Sequence, residues 1–244
     1  MRCQPQSNHQ VYIWLKNNQT CLLCDERTDA ALPICVACEA ELPWLGDQCM
    51  RCALPMPMDG LTCAACSRHP PAFSQVLAPW HYDFPIDALV TRFKHQAQWP
   101  MGRLLAELLG QLLQHRFDDA LPRPDFLLPV PLASKRLRQR GYNQAAMLAR
   151  WLGEQLELPV AEHWLQRTRE TTAQQGLDAK ARKRNLSGAF TVADGHGLQG
   201  RHVALVDDVL TTGSTADVIA QILIKAGARQ VDVYCLARTP KPGD

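Results

Sequence analysis

Two stretches of the chain carry residues whose types and order could do chemistry. From Val203 the sequence runs Val-Ala-Leu-Val-Asp-Asp-Val-Leu-Thr-Thr-Gly-Ser-Thr to Thr215. An apolar β-type run meets two adjacent acids, then a hydroxyl-rich turn, then a helical pattern from about Ser214 to Ala226. Free N–H groups at a helix start attract anions, glycine lets the backbone approach a phosphate, and Thr and Ser hydroxyls add donors. Thr211, Thr212, Gly213, Ser214 and Thr215 are therefore expected to cradle one phosphate. Asp207 and Asp208, at the carboxyl end of the strand, can accept hydrogen bonds from ribose hydroxyls or help to hold Mg²⁺ through water. Phosphate plus ribose points to a ribose 5-phosphate group. A turn that merely caps the next helix is the plainer alternative; adjacent acids, two threonines and a glycine in this order weigh against it. The sequence has neither G-x-x-x-x-G-K-[ST] nor a G-x-G-x-x-G opening a helix after a strand, which removes most support for ATPase and dinucleotide readings.

The other stretch holds Cys21 and Cys24, Cys35 and Cys38, Cys49 and Cys52, and Cys63 and Cys66, a C-x-x-C unit recurring every 14 residues. Zinc takes four thiolates in a closed structural site, and each C-x-x-C turn supplies two. Eight cysteines are thus expected to form two structural zinc sites, with sequential or interleaved pairing both open. Disulfides, or one occupied site plus spare thiols, are the alternatives, disfavoured in a chain read as remaining in the cytoplasm. Loop-like spacers such as Ala53 to Thr62 need such a staple to fold. His69 reads as a linker residue beside prolines, and Cys235, alternating with Val231 and Val233, as a buried strand residue. Between Cys21 and Cys66 only Arg27 and Arg51 face seven acids, Asp25, Glu26, Asp29, Glu39, Glu41, Asp47 and Asp59. That balance argues against this module as the main nucleic-acid surface. Trp44, Trp80 and Trp99 read as core or interface residues ahead of base-stacking ones.

Cations concentrate after Pro129-Val130-Pro131, at Lys135, Arg136, Arg138 and Arg140. Such a cluster suits a pyrophosphate or a nucleic-acid backbone, or simply the solvated face of a helix. Its place beside a strand end favours binding. Arg167 and Arg169 open a polar stretch reaching Arg184, with Gln174 and Arg182 inside it. It reads either as an ordinary surface loop or as a flap that could close over a ligand.

The remaining sequence must position these groups. The chain has 244 residues, net charge +2, 46 % hydrophobic and 20 % charged residues, a globular profile with length for a substantial core. No apolar run approaches the roughly 20 residues that span a bilayer, and residues 1–20 lack a signal-type apolar core, so a cytoplasmic location is expected. The domain plan is an extension over 1–20, a double zinc ribbon over 21–70 and an α/β domain over 71–240. Val76–Tyr82, Phe126–Val130, Val160–Leu165, Val203–Val206 and Val231–Leu236 read as strands. Ile86, Leu89, Val90 and Phe93 share one helical face, the Leu104–Leu113 stripe another, and Asn143–Leu156 is amphipathic. Strand, helix, strand implies a right-handed parallel unit, hence a parallel sheet flanked by helices with its loops at the strand ends.

The Val203–Thr215 segment resembles the 5-phosphoribosyl 1-pyrophosphate (PRPP) motif of type I phosphoribosyltransferases. That resemblance implies ribose binding by Asp207 and Asp208 and 5-phosphate binding by Thr211 to Thr215, with Mg²⁺ accompanying PRPP. Together with Phe93-Lys94, Pro129-Val130-Pro131, Arg136, Arg140-Gly141-Tyr142-Asn143-Gln144, Arg167, Gln174, Arg182, Asn185 and the cysteine pairs, the chain is similar to the bacterial competence protein F (ComF, also GntX) family from about Cys21 to Arg238. The resemblance implies a cytoplasmic role in DNA uptake, in natural transformation or use of DNA as nutrient. It also implies PRPP or nucleotide, single-stranded DNA and components of the uptake machinery as partners, with Lys135, Arg136, Arg138, Arg140, Arg167 and Arg169 on pyrophosphate or DNA backbone. Transfer of a phosphoribosyl group to an unknown acceptor is the alternative, because the fold also serves proteins that only bind. A PRPP-sensing transcription regulator ranks last, since no helix-turn-helix segment is evident.

Overall fold

Burial along the two longest apolar runs dictates the sheet. Both are nine residues long, β8 over His202–Leu210 and β9 over Gln230–Arg238, and nearly every residue of each is buried. Strands covered on both faces read as continuous apolar runs and suit a parallel sheet. In this computed structural model, which describes residues 19–169, 188–193 and 197–240, β8 and β9 pair in parallel from His202↔Gln230 to Leu210↔Arg238. Strand β5, Phe126–Pro129, lies parallel on the other side of β8. Two short strands, β3 over Val76–Leu77 and β4 over Trp80–His81, pair in parallel with β9. The sheet order is β3-β9-β8-β5, with β4 also on β9.

Three strand expectations change in detail. The run Val76–Tyr82 is broken at Ala78-Pro79, because proline has no N–H for the ladder; the Pro79 carbonyl instead accepts from Leu45 N–H at 2.7 Å. The expected Val203–Val206 strand continues through both acids to Leu210, since β9 runs on beside it to Arg238. Val160 makes only an isolated bridge to Leu127. The strand begins at Leu165 instead: β6, Leu165–Arg167, pairs antiparallel with β7, Phe190–Val192, outside the main sheet.

Helices cover both faces. Val203 and Leu205 of β8 and Val231, Val233 and Cys235 of β9 share a core with Val218, Ile219 and Leu223 from the helix Ser214–Lys225. The opposite face carries the Ile86–Gln96, Trp99–Asp118 and Gln144–Leu156 helices, whose buried stripes match the predicted apolar spacing. A short helix, Ser134–Arg140, carries the basic cluster; Gly141 ends it with φ +83°, a conformation cheap only for glycine. In chain order these five helices are α3 (Ile86–Gln96), α4 (Trp99–Asp118), α5 (Ser134–Arg140), α6 (Gln144–Leu156) and α7 (Ser214–Lys225).

The chain divides into two compact units, one ending at Leu42 and the other beginning at Pro43. The first contains the two-residue strands β1, Gln19–Thr20, and β2, Arg27–Thr28, and the helix α1, Val36–Ala40. The second cysteine quartet, with helix α2 over Ala64–Arg68, belongs to the same unit as the sheet. Among the described residues no helix is long and apolar enough to cross a membrane.

Candidate functional site

The strand ends of β5 and β8 and the ends of α3 and α5 enclose a cleft of about 890 Å³. Asp207, Asp208 and Thr215 line it together with Arg136, Arg140 and Arg167. Lys135, Arg138 and Arg169 are not among its lining residues. The reason lies in helix geometry: Arg136 and Arg140 are four residues apart on one face of α5, which turns Lys135 and Arg138 elsewhere. Gln174, Arg182 and Asn185, and with them most of the expected flap, lie outside the described residues.

The two acids are held differently. Asp208 is buried; its Oδ1 is 2.9 Å from Lys94 Nζ and accepts from Val209 N–H at 2.7 Å, while Oδ2 accepts from Gln144 Nε2 at 2.7 Å. Gln144 Oε1 in turn accepts from Arg140. A polar chain thus runs from Arg140 through Gln144 and Asp208 to Lys94, tying α5, α6, β8 and α3. Asp207 keeps part of its surface on the cleft, and its Oδ1 accepts from Asp208 N–H at 2.9 Å. Burial pushes its carboxyl up to about 7, the Asp208 charge adds to the shift, and the Asp208 N–H and Lys94 oppose it. At the rim, His95 is drawn below its ordinary value by burial first and then by Arg140 and Lys94. Near neutral pH the cleft therefore presents cations on one wall and a readily protonated carboxyl on the other.

The segment between α5 and α6 is a positioning device. Tyr142 donates its hydroxyl to the Phe93 carbonyl, and its ring tilts on Phe93 at 5.9 Å between centroids. Asn143 Nδ2 donates to the Val130 carbonyl at 3.1 Å, while its Oδ1 caps α6 by accepting from Ala145 N–H at 3.1 Å. Sequence reasoning gave Lys94 and Gln144 no role. A signal was present: Lys94 falls four residues after Val90 on the apolar face of α3, and Gln144 four before Leu148 on that of α6, where an uncompensated polar side chain would be costly.

The phosphate turn has Gly213 at φ +74° immediately before α7. Thr212 Oγ1 and Ser214 Oγ lie 2.9 Å apart, and Asp217 N–H closes the first helical turn onto the Gly213 carbonyl at 2.8 Å. Of the turn, Thr215 faces the main cleft, whereas Thr211, Thr212, Gly213 and Ser214 line a second groove of about 670 Å³. Cys52, Cys63 and Cys66 line that groove too.

The cysteines assemble sequentially. The Sγ atoms of Cys21, Cys24, Cys35 and Cys38 all lie within 4.8 Å of one another, as do those of Cys49, Cys52, Cys63 and Cys66. Cys24 to Cys35 and Cys52 to Cys63 both measure 3.8 Å between sulfurs. That is the edge of about 3.8 Å expected for a tetrahedron with Zn–S of about 2.3 Å, so both donor sets fit structural zinc. None of the described cysteines is in a disulfide. The two sites repeat one design 28 residues apart rather than a 14-residue one. In each, the first pair forms a turn: Cys21 N–H bonds the Glu26 carbonyl at 2.8 Å, and Cys49 N–H the Leu54 carbonyl at 2.7 Å. Asp25 and Ala53 have φ +61° and +52° at matching points. The second pair flanks the start of a short helix in each site. Cys235 is fully buried, and burial pushes its thiol up to about 12, leaving it unreactive.

A parallel sheet carrying two acids and a hydroxyl-rich glycine turn at a strand end, in a chain that also holds two thiolate quartets, defines a phosphoribosyltransferase-type protein with a double zinc ribbon. Residues 18–67 match the family described as Double zinc ribbon domain, and residues 137–243 the family described as Phosphoribosyl transferase domain. The chain is 39 % identical over 170 residues to Competence protein F of Haemophilus influenzae, spanning 69 % of this chain and 74 % of that protein. It is 39 % identical over 171 residues to DNA utilization protein YhgH of Salmonella typhi, spanning 70 % and 74 %. To Competence protein ComFC of Bacillus subtilis it is 30 % identical over 125 residues, spanning 50 % and 49 %. The chain belongs to the competence protein F family.

Proposed function

We propose that the cleft binds PRPP or a related nucleotide with Mg²⁺, and that its cationic wall engages single-stranded DNA in the cytoplasm during DNA uptake. The observation that carries this reading is the convergence of Asp207, Asp208 and Thr215 with Arg136, Arg140 and Arg167 on one cleft. In it, Asp207 orients the ribose hydroxyls or a metal-bound water, and the Lys94 and Gln144 contacts fix the direction of the Asp208 carboxylate. The phosphate turn holds the 5-phosphate, and the arginines hold pyrophosphate or polynucleotide phosphates. The names of the relatives, competence and DNA utilization, support a place in uptake for transformation or nutrition. The test is calorimetry of Mg²⁺–PRPP binding with and without a single-stranded oligonucleotide, alongside Asp207→Asn/Asp208→Asn. Binding that disappears in the double variant and changes with DNA supports the reading; absence of PRPP binding to the unaltered chain refutes it.

The gathering of cations opposite the acids favours one further reading, phosphoribosyl transfer. A nitrogen base would bond to the anomeric carbon as its bond to pyrophosphate breaks, and Arg136 and Arg140 would take up the departing charge. Mg²⁺ would add charge neutralisation on the leaving group. Pyrophosphate release with one base among a panel of nucleobases supports transfer; release with none, despite PRPP binding, refutes it.

A further inference from the structure

Arg238, the last residue of β9, is only 5 % exposed. Its guanidinium donates to four backbone carbonyls: Nε to Cys52 at 2.8 Å, and Nη1 to Leu210 at 3.2 Å, to Thr211 and to Thr239. One acceptor therefore belongs to the second cysteine quartet, one is the last residue of β8 and one is the first residue of the phosphate turn. Carboxylates are absent from this set, so nothing within it cancels the buried charge.

The carbonyls of Leu210 and Thr211, at the junction of β8 and the turn, matter because of peptide geometry. In an extended strand successive carbonyls point to opposite sides, but here those of Leu210 and Thr211 meet on one cation. Each peptide is planar and trans, so its N–H points away from its own C=O. The N–H groups of Thr211 and Thr212 are thereby both turned away from Arg238, and successive N–H groups converging on one side form an anion-binding concavity. On its other side Arg238 is fixed by the Cys52 carbonyl, which lies in the turn closed by Ala53 N–H on the Cys49 carbonyl at 3.0 Å. A four-thiolate metal site, by holding Cys49 and Cys52 together, would add to that hydrogen bond in fixing the shape of the turn.

We propose that the second cysteine quartet, when it holds zinc, is a positioning element for the phosphate turn and acts through Arg238. The proposal rests on the reading of Thr211–Thr215 as a phosphate site. The first quartet supplies none of Arg238's acceptors and serves as the internal control.

The experiment uses the full chain with zinc counted by native mass spectrometry. Variants are Cys66→Ser for the second site, Cys24→Ser for the first, Arg238→Gln, Arg238→Lys, and Cys66→Ser/Arg238→Gln. Two quantities are read: amide hydrogen exchange over residues 205–217, and the Kd for ribose 5-phosphate. Cys66→Ser and Arg238→Gln are each expected to speed exchange in the turn and weaken binding by about tenfold or more, with Arg238→Lys intermediate. Cys24→Ser should stay within about twofold, and the combined variant should be no worse than either alone, because both act on one link. Should Cys66→Ser fail to fold, zinc-replete Arg238→Gln still decides: unchanged exchange in the turn overturns the proposal, as does strict additivity in a folded double variant. Failure of the unaltered chain to bind ribose 5-phosphate would instead refute the phosphate reading, while the exchange data still decide the link.

Discussion

Replacing Asp207 by asparagine removes a charge that the fold tolerates poorly, so the variant is expected to be more stable and less functional. The ordinary carboxyl value of 3.8 is raised to about 7 in the folded chain, chiefly by burial and then by Asp208. Between these values the folded state holds a proton that the unfolded state releases, so stability falls as pH rises through that window. At about 1.4 kcal/mol per unit, moving from pH 5 to pH 8 deprotonates the folded-state group and removes about 3 kcal/mol. Asparagine keeps the shape and cannot ionise. Thermal melts of both proteins at pH 5, 6, 7 and 8 should therefore diverge, with the variant's advantage in Tm growing by about 6–12 °C for a chain of this size. A constant difference across pH, or a variant less stable at pH 8, would refute the reasoning. Mg²⁺–PRPP binding, by contrast, should be lost in Asp207→Asn and in the unaltered chain should strengthen as pH rises through about 7.

Lys94→Met leaves Asp208 buried without its cation and is expected to destabilise the chain by about 3 kcal/mol in urea titrations. Adding Asp208→Asn to it should recover most of that loss. Gly213→Ala has room, since its new Cβ would sit 3.7 Å from the Phe73 ring, but it would force φ +74° on a β-carbon. It should cost about 1 kcal/mol in thermal melts and weaken ribose 5-phosphate binding. Native mass spectrometry should find two zinc ions per chain, one fewer in either Cys24→Ser or Cys66→Ser, and none after denaturation with chelator.

The strand, acids, turn and helix of the candidate phosphate site are legible in the sequence as structural elements because each rests on a local rule: β-type residues, a glycine between them and the helix, hydroxyls at a helix start. The cysteine quartets are legible for the same reason, since C-x-x-C geometry is set within four residues. What escaped depends on distance. Lys94 and Asp208 are 114 positions apart in the chain, and only the packing of α3 against the sheet brings them to 2.9 Å. Arg238 ends an apolar strand with nothing nearby in sequence to mark its partners at Cys52 and Thr211. The basic cluster was open in another way: four cations in six residues do not say which of them turn to a ligand, and the short helix closed by Gly141 sends Arg136 and Arg140, of these cations, to the cleft. The 14-residue cysteine step likewise hides that alternate pairs adopt different backbone shapes.

Position 144 is a two-faced joint. Its side chain must offer an acceptor toward Arg140 and a donor toward Asp208 at the same time, from within the protein. Glutamate has the length but would set two carboxylates against each other, lysine would face a guanidinium, and methionine would leave both neighbours unmet. Asparagine has the right ends and too short a reach. The cleft's acidic and basic walls are thus held in register through a neutral amide, and a change at this one position would unseat both walls together.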